Sequence, residues 1–254
     1  MYLRERFAQR RSGTFVEIGV GQGMLSQRLL DLGWSGFGLE VDAQSIVMAR
    51  RNTAAHIQRG AYEVLQADWV RDDLPAAVPA KVDLILSYMV LEHLDEDEER
   101  RYFQRCAQRL STEGRCVVLV PACPQAWGIE DEIAGHFRRY TFSRFRNVLP
   151  RLGWRIEHMA GLTFPVSNML LPISNRLVAR AESNKQALSM EERTRESGRR
   201  EVYGKTVFPS LAGLILNERS MYPFHFLQKA FSHSERALVI YLECVPVVPA
   251  RAVP

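Results

Sequence analysis

Short apolar runs of strand length alternate, along the first half of the chain, with stretches whose apolar residues recur at helical spacing. Glycine, proline and polar residues bound the short runs, as they bound strands. The predicted strands are Phe15–Gly19, Gly36–Val41, Val64–Ala67, Val82–Leu86 and Arg115–Val120. The predicted helices are Met24–Leu32, a helix through Ile46, Val47 and Ala49, and Asp97–Leu110. This alternation predicts an α/β fold with a doubly wound parallel sheet and helices on both faces.

The pattern changes after Pro121. Phe142–Leu152 predicts a helix, and Trp154–His158 and Arg236–Val245 predict two more strands. The chain between those strands is far longer than an ordinary connection and does not repeat the strand–helix pattern. We therefore divide the chain into a core of residues 1–161, a mostly helical cap inserted at 162–234, and a last strand with its tail at 235–254. Within the cap, the charged stretch Glu182–Arg200 is expected to be exposed and mobile.

Composition bounds the class of protein without naming a function. The chain has 254 residues, 46% of them hydrophobic, which suits one α/β domain with an elaboration and excludes disorder throughout. Its formal net charge is +4, but the arginines are scattered, so we expect no nucleic-acid partner. An anionic small molecule or an anionic membrane face would suit that charge equally well.

Cysteine spacing and hydropathy indicate where the protein works. The four cysteines form no CxxC pair, which argues against a structural zinc site and favours reduced thiols in a cytoplasmic protein. We find no signal peptide and no apolar run long enough to cross a bilayer. The predicted location is the cytoplasm, with peripheral membrane contact left open.

A glycine-rich turn, Glu17-Ile18-Gly19-Val20-Gly21-Gln22-Gly23, follows the first predicted strand. Glycines let the chain turn tightly and let a ligand approach backbone N–H groups at the start of a helix. Such a turn can also simply close a strand–helix corner, so it is a weak signal alone.

Polar residues at the next two strand ends strengthen that signal. Glu40, followed by Val41, ends the second strand, where a carboxylate can hold a ribose diol. Asp68-Trp69 follows the third strand, where an acid can receive an adenine amino group while the ring lies against the base. Three such features on the carboxyl edge of one sheet predict a nucleotide-like cofactor site.

Taken in order, these motifs resemble the class I S-adenosylmethionine (SAM)-dependent methyltransferases. EIGVGQG is similar to the family's first motif, GLEVDAQSIVMAR to its second strand and helix, and QADW to its adenine corner. DLILSYMVLEHL resembles the fourth strand and its continuation. LSTEGRCVVLVP resembles the fifth strand and its loop, although Thr112-Glu113-Gly114 stands where Pro-Gly-Gly is usual.

The resemblance covers about residues 12–160 and implies both a fold and a cofactor. The fold is a Rossmann-like sheet of seven strands with one antiparallel strand, supplied by a hairpin of the last two predicted strands. The cofactor is SAM. The implied cofactor-binding residues are Glu17, Gly19, Gly21, Gly23, Glu40, Val41, Asp68, Trp69 and Ser87. A dehydrogenase is the alternative for any glycine-rich turn, but the GxGxG spacing and the later motifs favour the methyltransferase.

Two segments after the fourth and fifth strands are candidates for contact with the methyl acceptor. Glu92-His93 follows strand four, where a structural role and a catalytic one are both open. The run from Asp131 to Thr141 resembles a D-xxx-GHxRRY segment found in a subset of these enzymes that serve sugar, glycolipid or secondary-metabolite assembly. The candidate catalytic residues are His136, His93, Arg139 and Tyr140.

The chemistry of that second segment allows two interpretations. His136 could accept a hydroxyl proton, and Arg138 or Arg139 could hold a carboxylate or phosphate. Alternatively, the arginines pair with Asp131 and Glu132 and order the loop. We predict no catalytic metal, because acids and histidines do not cluster at ligand spacing in the sequence.

The residues after 160 suggest how the acceptor is enclosed. Two segments are apolar, Leu162–Leu177 and Phe208–Phe231. They could pack on the sheet, line an apolar substrate pocket or form a membrane-facing surface. We predict O-methylation of a small-molecule, saccharide or lipid-linked acceptor. The alternatives are N- or C-methylation, for example of a quinone-like ring, and a SAM-binding partner subunit without catalysis.

Overall fold

The computed structural model describes residues 1–8, 10–182 and 218–247. In these ranges seven strands form one sheet in the order β3-β2-β1-β4-β5-β7-β6. Strand β7 runs antiparallel to both of its neighbours, β5 and β6, and the other described pairs are parallel. The strands are β1 Thr14–Ile18, β2 Ser35–Glu40, β3 Tyr62–Gln66, β4 Val82–Tyr88, β5 Leu110–Pro121, β6 Trp154–Leu162 and β7 Val239–Pro246. The predicted seven-stranded Rossmann-like fold is confirmed.

Helices flank the sheet, and their starts follow from short-range capping. The Asp42 carboxylate accepts the Ser45 N–H to start α3, and Asp95 with Glu98 forms a capping box at α5. The α-helices of the described ranges are α1 Tyr2–Ala8, α2 Met24–Asp31, α3 Ala43–Asn52, α4 Ala54–Gln58, α5 Glu96–Arg109, α6 Ile129–Ala134, α7 Phe142–Arg151, α8 Val166–Glu182 and α9 Glu218–Ala230. The sequence analysis missed α1, α4 and α6, which are too short to show a helical repeat.

Each face of the sheet carries its own apolar core. One core holds Tyr102, Phe145 and Trp154, and the other holds Phe15 and Trp34, all buried. Sheets covered on both faces need strands that are apolar throughout, which explains the continuous apolar runs in the sequence.

A buried carboxylate ties α1 to the sheet. Glu243 of β7 is fully buried, and its oxygens accept hydrogen bonds from Arg6 at 2.7 Å, Arg10 at 2.5 Å and the Tyr241 hydroxyl at 2.5 Å. Burial opposes ionisation, but the Arg6 and Tyr241 hydrogen bonds dominate and lower the pKa of Glu243 to about 2. This network fixes the start of the chain against the antiparallel strand.

The helices of the predicted cap pack in two different places. Val178 of α8 is buried against Ile133 of α6, whereas α9 contacts β6 and α1, with His225 bonded to Glu5 at 2.7 Å. The predicted mobility of residues 183–200 lies outside the described residues. The division into core and cap therefore stays a prediction.

Much of the cap's described apolar surface is exposed. On α8, Met169 is 76% exposed and Ile173 is 56% exposed, and on α9 Phe226 is 60% exposed. Packing on the sheet therefore does not account for these side chains, in contrast to Val178. No helix in the described ranges has the length and apolar content needed to cross a bilayer.

Candidate active site

The glycine-rich turn lies at the carboxyl end of β1 with its backbone in left-handed conformations. Gly19 has φ +70°, and a Cβ there would stand 2.6 Å from Cγ2 of Val90. Gly21 has φ +51°, but a Cβ there would meet nothing within 4 Å in the described structure. Only glycine fits the first position without strain, and the second faces open space that a ligand can fill.

Glu40 holds this turn from the end of β2. Its Oε2 accepts the Gly21 N–H at 2.8 Å, and its Oε1 accepts the N–H groups of Val41 at 2.8 Å and Asp42 at 3.0 Å. Oε1 already accepts two N–H groups and Oε2 only one, so Oε2 keeps a lone pair that can accept a hydroxyl. The acid predicted to bind ribose therefore lies beside the glycine turn.

At the end of β3, Asp68 and Trp69 face different surroundings. Oδ1 of Asp68 accepts the N–H groups of Val70 and Arg71 at 2.8 and 3.0 Å, and the side chain is partly exposed. Trp69 is 3% exposed, with its ring in the core and Nε1 3.4 Å from the Tyr102 carbonyl oxygen. The predicted stacking of this ring on adenine is therefore not supported, because its faces are covered. Val41, 41% exposed, is the apolar side chain at the end of β2.

Two other predicted cofactor residues are buried under the turn. The Ser26 hydroxyl, itself 2.6 Å from the Tyr62 hydroxyl, bonds to the Glu17 carboxylate. Burial raises the pKa of Glu17 to about 8, although the Ser26 hydrogen bond opposes the rise. Ser87 is fully buried and lies 2.8 Å from the Tyr102 hydroxyl. Neither side chain reaches the surface where a cofactor would lie.

An acid–imidazole–guanidinium group follows β5. Oδ1 of Asp131 lies 2.8 Å from Nδ1 of His136 and accepts the Arg139 Nε–H at 2.8 Å, while Oδ2 accepts the Gly128 N–H. Burial opposes ionisation of Asp131, but the His136 and Arg139 hydrogen bonds hold the pKa of this carboxyl below its ordinary value. The group orients the His136 ring and leaves its Nε2 pointing away from Asp131.

Nε2 of His136 faces Glu92, from the turn after β4. The Glu92 Oε1 is 3.9 Å away, and the rings of His136 and His93 stand edge to face with centroids 4.8 Å apart. The two segments are also joined by the backbone, since the Phe137 N–H donates to the Glu92 carbonyl oxygen at 2.8 Å. Glu92 is fully buried, which raises its pKa to about 8, with the charge of Asp131 adding to the rise.

The arginines of this segment are paired inside the protein. Arg138 lies 3.2 Å from Glu99, and Arg139 pairs with Asp131 and donates to the Ala122 carbonyl oxygen. Of the two interpretations offered by the sequence, these contacts match the one in which the arginines order the loop, and Glu99 is an additional partner.

Tyr140, a predicted catalytic residue, is buried completely. Its hydroxyl lies 3.1 Å from both the Leu91 carbonyl oxygen and the Glu99 carboxylate. Burial, followed by the charge of Glu99, raises the pKa of Tyr140 well above its ordinary value. Its geometry suits support of the loop, because the hydroxyl does not reach the cleft.

Exposed aromatic side chains near this group were missed by the sequence analysis. Tyr88 ends β4 and is 49% exposed, Trp127 is 41% exposed, and Phe137 is 49% exposed. Aromatic residues that a loop leaves in solvent often mark a binding surface. The position of Tyr88 at a strand end is a sequence feature that could mark it as a site residue. Whether its side chain is exposed, however, depends on tertiary packing.

Comparison with known proteins shows which domains and folds this chain resembles. Residues 16–116 match the family model described as a methyltransferase domain. The phenazine-1-carboxylate N-methyltransferase of Pseudomonas aeruginosa is 22% identical over 181 residues, covering 68% of this chain and 50% of that protein. The chain spans about half the length of the curated relatives it matches.

Solved structures share the fold. The glycopeptide N-methyltransferase MtfA superposes with a TM-score of 0.53 at 13% identity, covering 96% of this chain and 88% of that one. Its complex with SAM gives 0.51 at 18% identity over 64% and 79% of the two chains. The seven-stranded sheet order and the glycine turn thus accompany a methyltransferase-domain match over residues 16–116, and the likeness to these solved structures shows a shared fold.

Proposed function

We propose that this chain transfers a methyl group from SAM to an oxygen of a small-molecule acceptor. The observation that carries the proposal is that the segment holding Glu92, which faces His136, contacts the glycine turn. Val90, two residues before Glu92, contacts Gly19 so closely that a Cβ there would overlap it. A cofactor on the glycine turn and an acceptor at the histidine would therefore be neighbours.

The described residues fit the cofactor. Glu40 would accept a ribose hydroxyl through Oε2, the carboxylate of Asp68 would receive the adenine amino group, and Val41 would lie against the base. When bound, SAM supplies a methyl group on a sulfonium, so the C–S bond breaks as the acceptor's bond to carbon forms and the electron pair stays on sulfur. The protein's task is then mainly to position the acceptor and remove its proton.

His136 is suited to remove that proton. Its Nδ1 is held by Asp131 at 2.8 Å, so Nδ1 carries the hydrogen and Nε2 has the lone pair that an acceptor hydroxyl can protonate. Asp131 and Arg139 are positioning residues here. We assign the buried Glu17, Trp69, Ser87 and Tyr140 to support of the loops, because none of them reaches the cleft.

The surroundings favour an acceptor with a ring. Tyr88, Trp127 and Phe137 offer exposed aromatic faces suited to a saccharide or an aromatic ring. Both loop arginines are already paired, which weakens the case for an anionic group held there. A sugar or lipid-linked intermediate therefore stays our preferred acceptor, consistent with the D-xxx-GHxRRY resemblance.

N-methylation is the second candidate, because the phenazine enzyme and MtfA are both named N-methyltransferases. The test is to incubate the purified chain with SAM and a panel of phenols, sugars and amines, and to measure S-adenosylhomocysteine by mass spectrometry. Formation with a hydroxyl acceptor supports the proposal, and formation with amines alone supports the second candidate. SAM binding without turnover on any acceptor would point to a non-catalytic subunit and overturn the proposal.

The role of His136 needs its own comparison. We expect His136→Ala to lower turnover at least about a hundredfold, the usual contribution of a general base, while SAM affinity stays within about twofold. His233→Ala is the matched control, since this exposed histidine lies far along the chain on the α9–β7 connection. If His136→Ala turned over normally, the segment would be purely structural.

A further inference from the structure

Glu92 is a buried carboxylate whose role the methyl-transfer scheme leaves unexplained. It is 0% exposed, and neither carboxylate oxygen has a hydrogen-bond partner among the described residues. A buried polar group without a partner costs about 1–3 kcal/mol, and more if it is charged. Such a residue is tolerated where a ligand completes it.

His136 points a lone pair at this carboxylate. Because Asp131 takes the Nδ1 hydrogen, Nε2 is the acceptor nitrogen, and it lies 3.9 Å from Oε1 of Glu92. At 3.9 Å these two atoms are too far apart to form a hydrogen bond. A metal cation between Nε2 of His136 and Oε1 of Glu92 would give both atoms a partner.

The imidazole of His93 lies close to the side chains of both Glu92 and His136. One ligand atom from each of Glu92, His93 and His136 lies within 4.8 Å of the other two. Two ligands on one tetrahedral zinc ion stand about 3.4 Å apart, since metal–ligand bonds are about 2.0–2.2 Å. Side-chain rotations of Glu92 and His93 would close the remaining gap.

We propose that Glu92, His93 and His136 bind one divalent transition-metal ion of the zinc class. Two imidazoles and one carboxylate favour such an ion over magnesium, which prefers oxygen ligands. Asp131 supplies the carboxylate that commonly orients a metal-binding histidine through its other nitrogen. The sequence analysis predicted no metal because acids and histidines do not cluster along the chain. The fold nevertheless brings the side chains of Glu92, His93 and His136 together.

Three protein ligands leave a coordination position open, as in sites that bind a substrate oxygen or water. Both imidazoles are partly exposed, so that position can be reached from the surface. This role rests on the proposed function: an acceptor hydroxyl bound to the ion would lose its proton more readily. With the ion bound, the Nε2 lone pair of His136 would hold the ion and the acceptor's proton would pass to solvent water, whereas in the metal-free chain His136 is the base.

The test measures metal binding without turnover. The full chain, freed of any tag and of metal with EDTA, is titrated with Zn²⁺ by calorimetry and with Co²⁺ by visible absorption. We expect one equivalent to bind and Co²⁺ to give tetrahedral or five-coordinate bands. His136→Ala, His93→Ala and Glu92→Gln should each weaken binding at least about tenfold, and Asp131→Asn about 10- to 100-fold.

Two controls keep the outcome decisive. His233→Ala should bind as tightly as the wild-type chain, and circular dichroism should show that each variant is folded. No Zn²⁺ binding below millimolar concentration, or binding that survives loss of all three ligands, would overturn the proposal. SAM affinity of the metal-free chain is measured in parallel, so failure of the metal site is distinguished from failure of the methyltransferase proposal.

Discussion

Single residues of the glycine turn and the strand that follows it set the cofactor side of the site. Gly19 must be glycine because of its backbone and its neighbour, and Glu40 links the turn to β2 through the Gly21 N–H. Both residues act locally, so their effects on cofactor binding can be separated from effects on folding.

We predict that Gly19→Ala abolishes measurable SAM binding, because its Cβ would stand 2.6 Å from the Val90 side chain at φ +70°. Gly60→Ala is the control, with φ +69° and nothing within 4 Å of its Cβ in the described structure. Both should lose about 1–2 kcal/mol of stability from left-handed strain. Calorimetry showing equal SAM affinity for the two variants would contradict the placement of the cofactor.

Glu40→Ala is expected to weaken SAM binding at least about tenfold, because charge-assisted hydrogen bonds are worth about 1.5–3 kcal/mol each. Part of the loss would come from the released Gly21 N–H, which Glu40 now accepts at 2.8 Å. Glu63→Ala, on the neighbouring β3 and exposed, should bind SAM normally. An unchanged dissociation constant in Glu40→Ala would refute the ribose assignment.

Among elements, α1 is held to the sheet in part by one buried charge, that of Glu243. Glu243 meets two arginines of the α1 region and a tyrosine beside it on β7. The folded-state pKa is lowered to about 2 from 4.5, so this stabilisation is present above pH 5 and is lost as pH falls towards 2.

Glu243→Gln should therefore lower the free energy of unfolding at pH 7 by roughly 2–3 kcal/mol. The difference from wild type should shrink between pH 5 and pH 2.5, as measured by urea unfolding. Glu157→Gln on β6 is the matched control: its pair with the exposed Arg155 at 3.0 Å should contribute less than about 1 kcal/mol. A constant difference across this pH range would show that Glu243 does not titrate as proposed.

At the scale of the whole molecule, we expect α8 to shape the acceptor site through its packing on α6. Val178 is buried against Ile133, and α6 ends just before His136, so a shift of α8 would reach the acid–imidazole group. Coupling of this kind needs the packed contact between the two helices.

Val178→Ala should raise the KM for the acceptor and leave SAM affinity unchanged, because the change loosens α8 on α6 away from the glycine turn. The stability cost should be roughly 1–2 kcal/mol, as for other methyl deletions in a core. Ile173→Ala, on the same helix but 56% exposed, should behave as wild type in steady-state kinetics. If Val178→Ala and Ile173→Ala had equal KM values for the acceptor, the packing of α8 would not influence the acceptor site.

The sequence by itself determined what depends on neighbours along the chain. Strand and helix alternation, the glycine turn, and the acids Glu40 and Asp68 at strand ends were readable because strands of a parallel sheet place their carboxyl ends on one edge. The strand boundaries moved by a few residues, except where β5 begins earlier, at Leu110. Periodicity and turn chemistry fix such features within a few residues.

Only the tertiary structure decided which polar residues face the cleft and which lie beneath it. Trp69 and Tyr140 look like site residues in the sequence but are buried, and Arg138 pairs with Glu99, 39 residues away. Glu92 and His136 are likewise separate in sequence and meet at 3.9 Å. Burial and ion pairing depend on how distant segments pack, and local residue patterns carry no record of that packing.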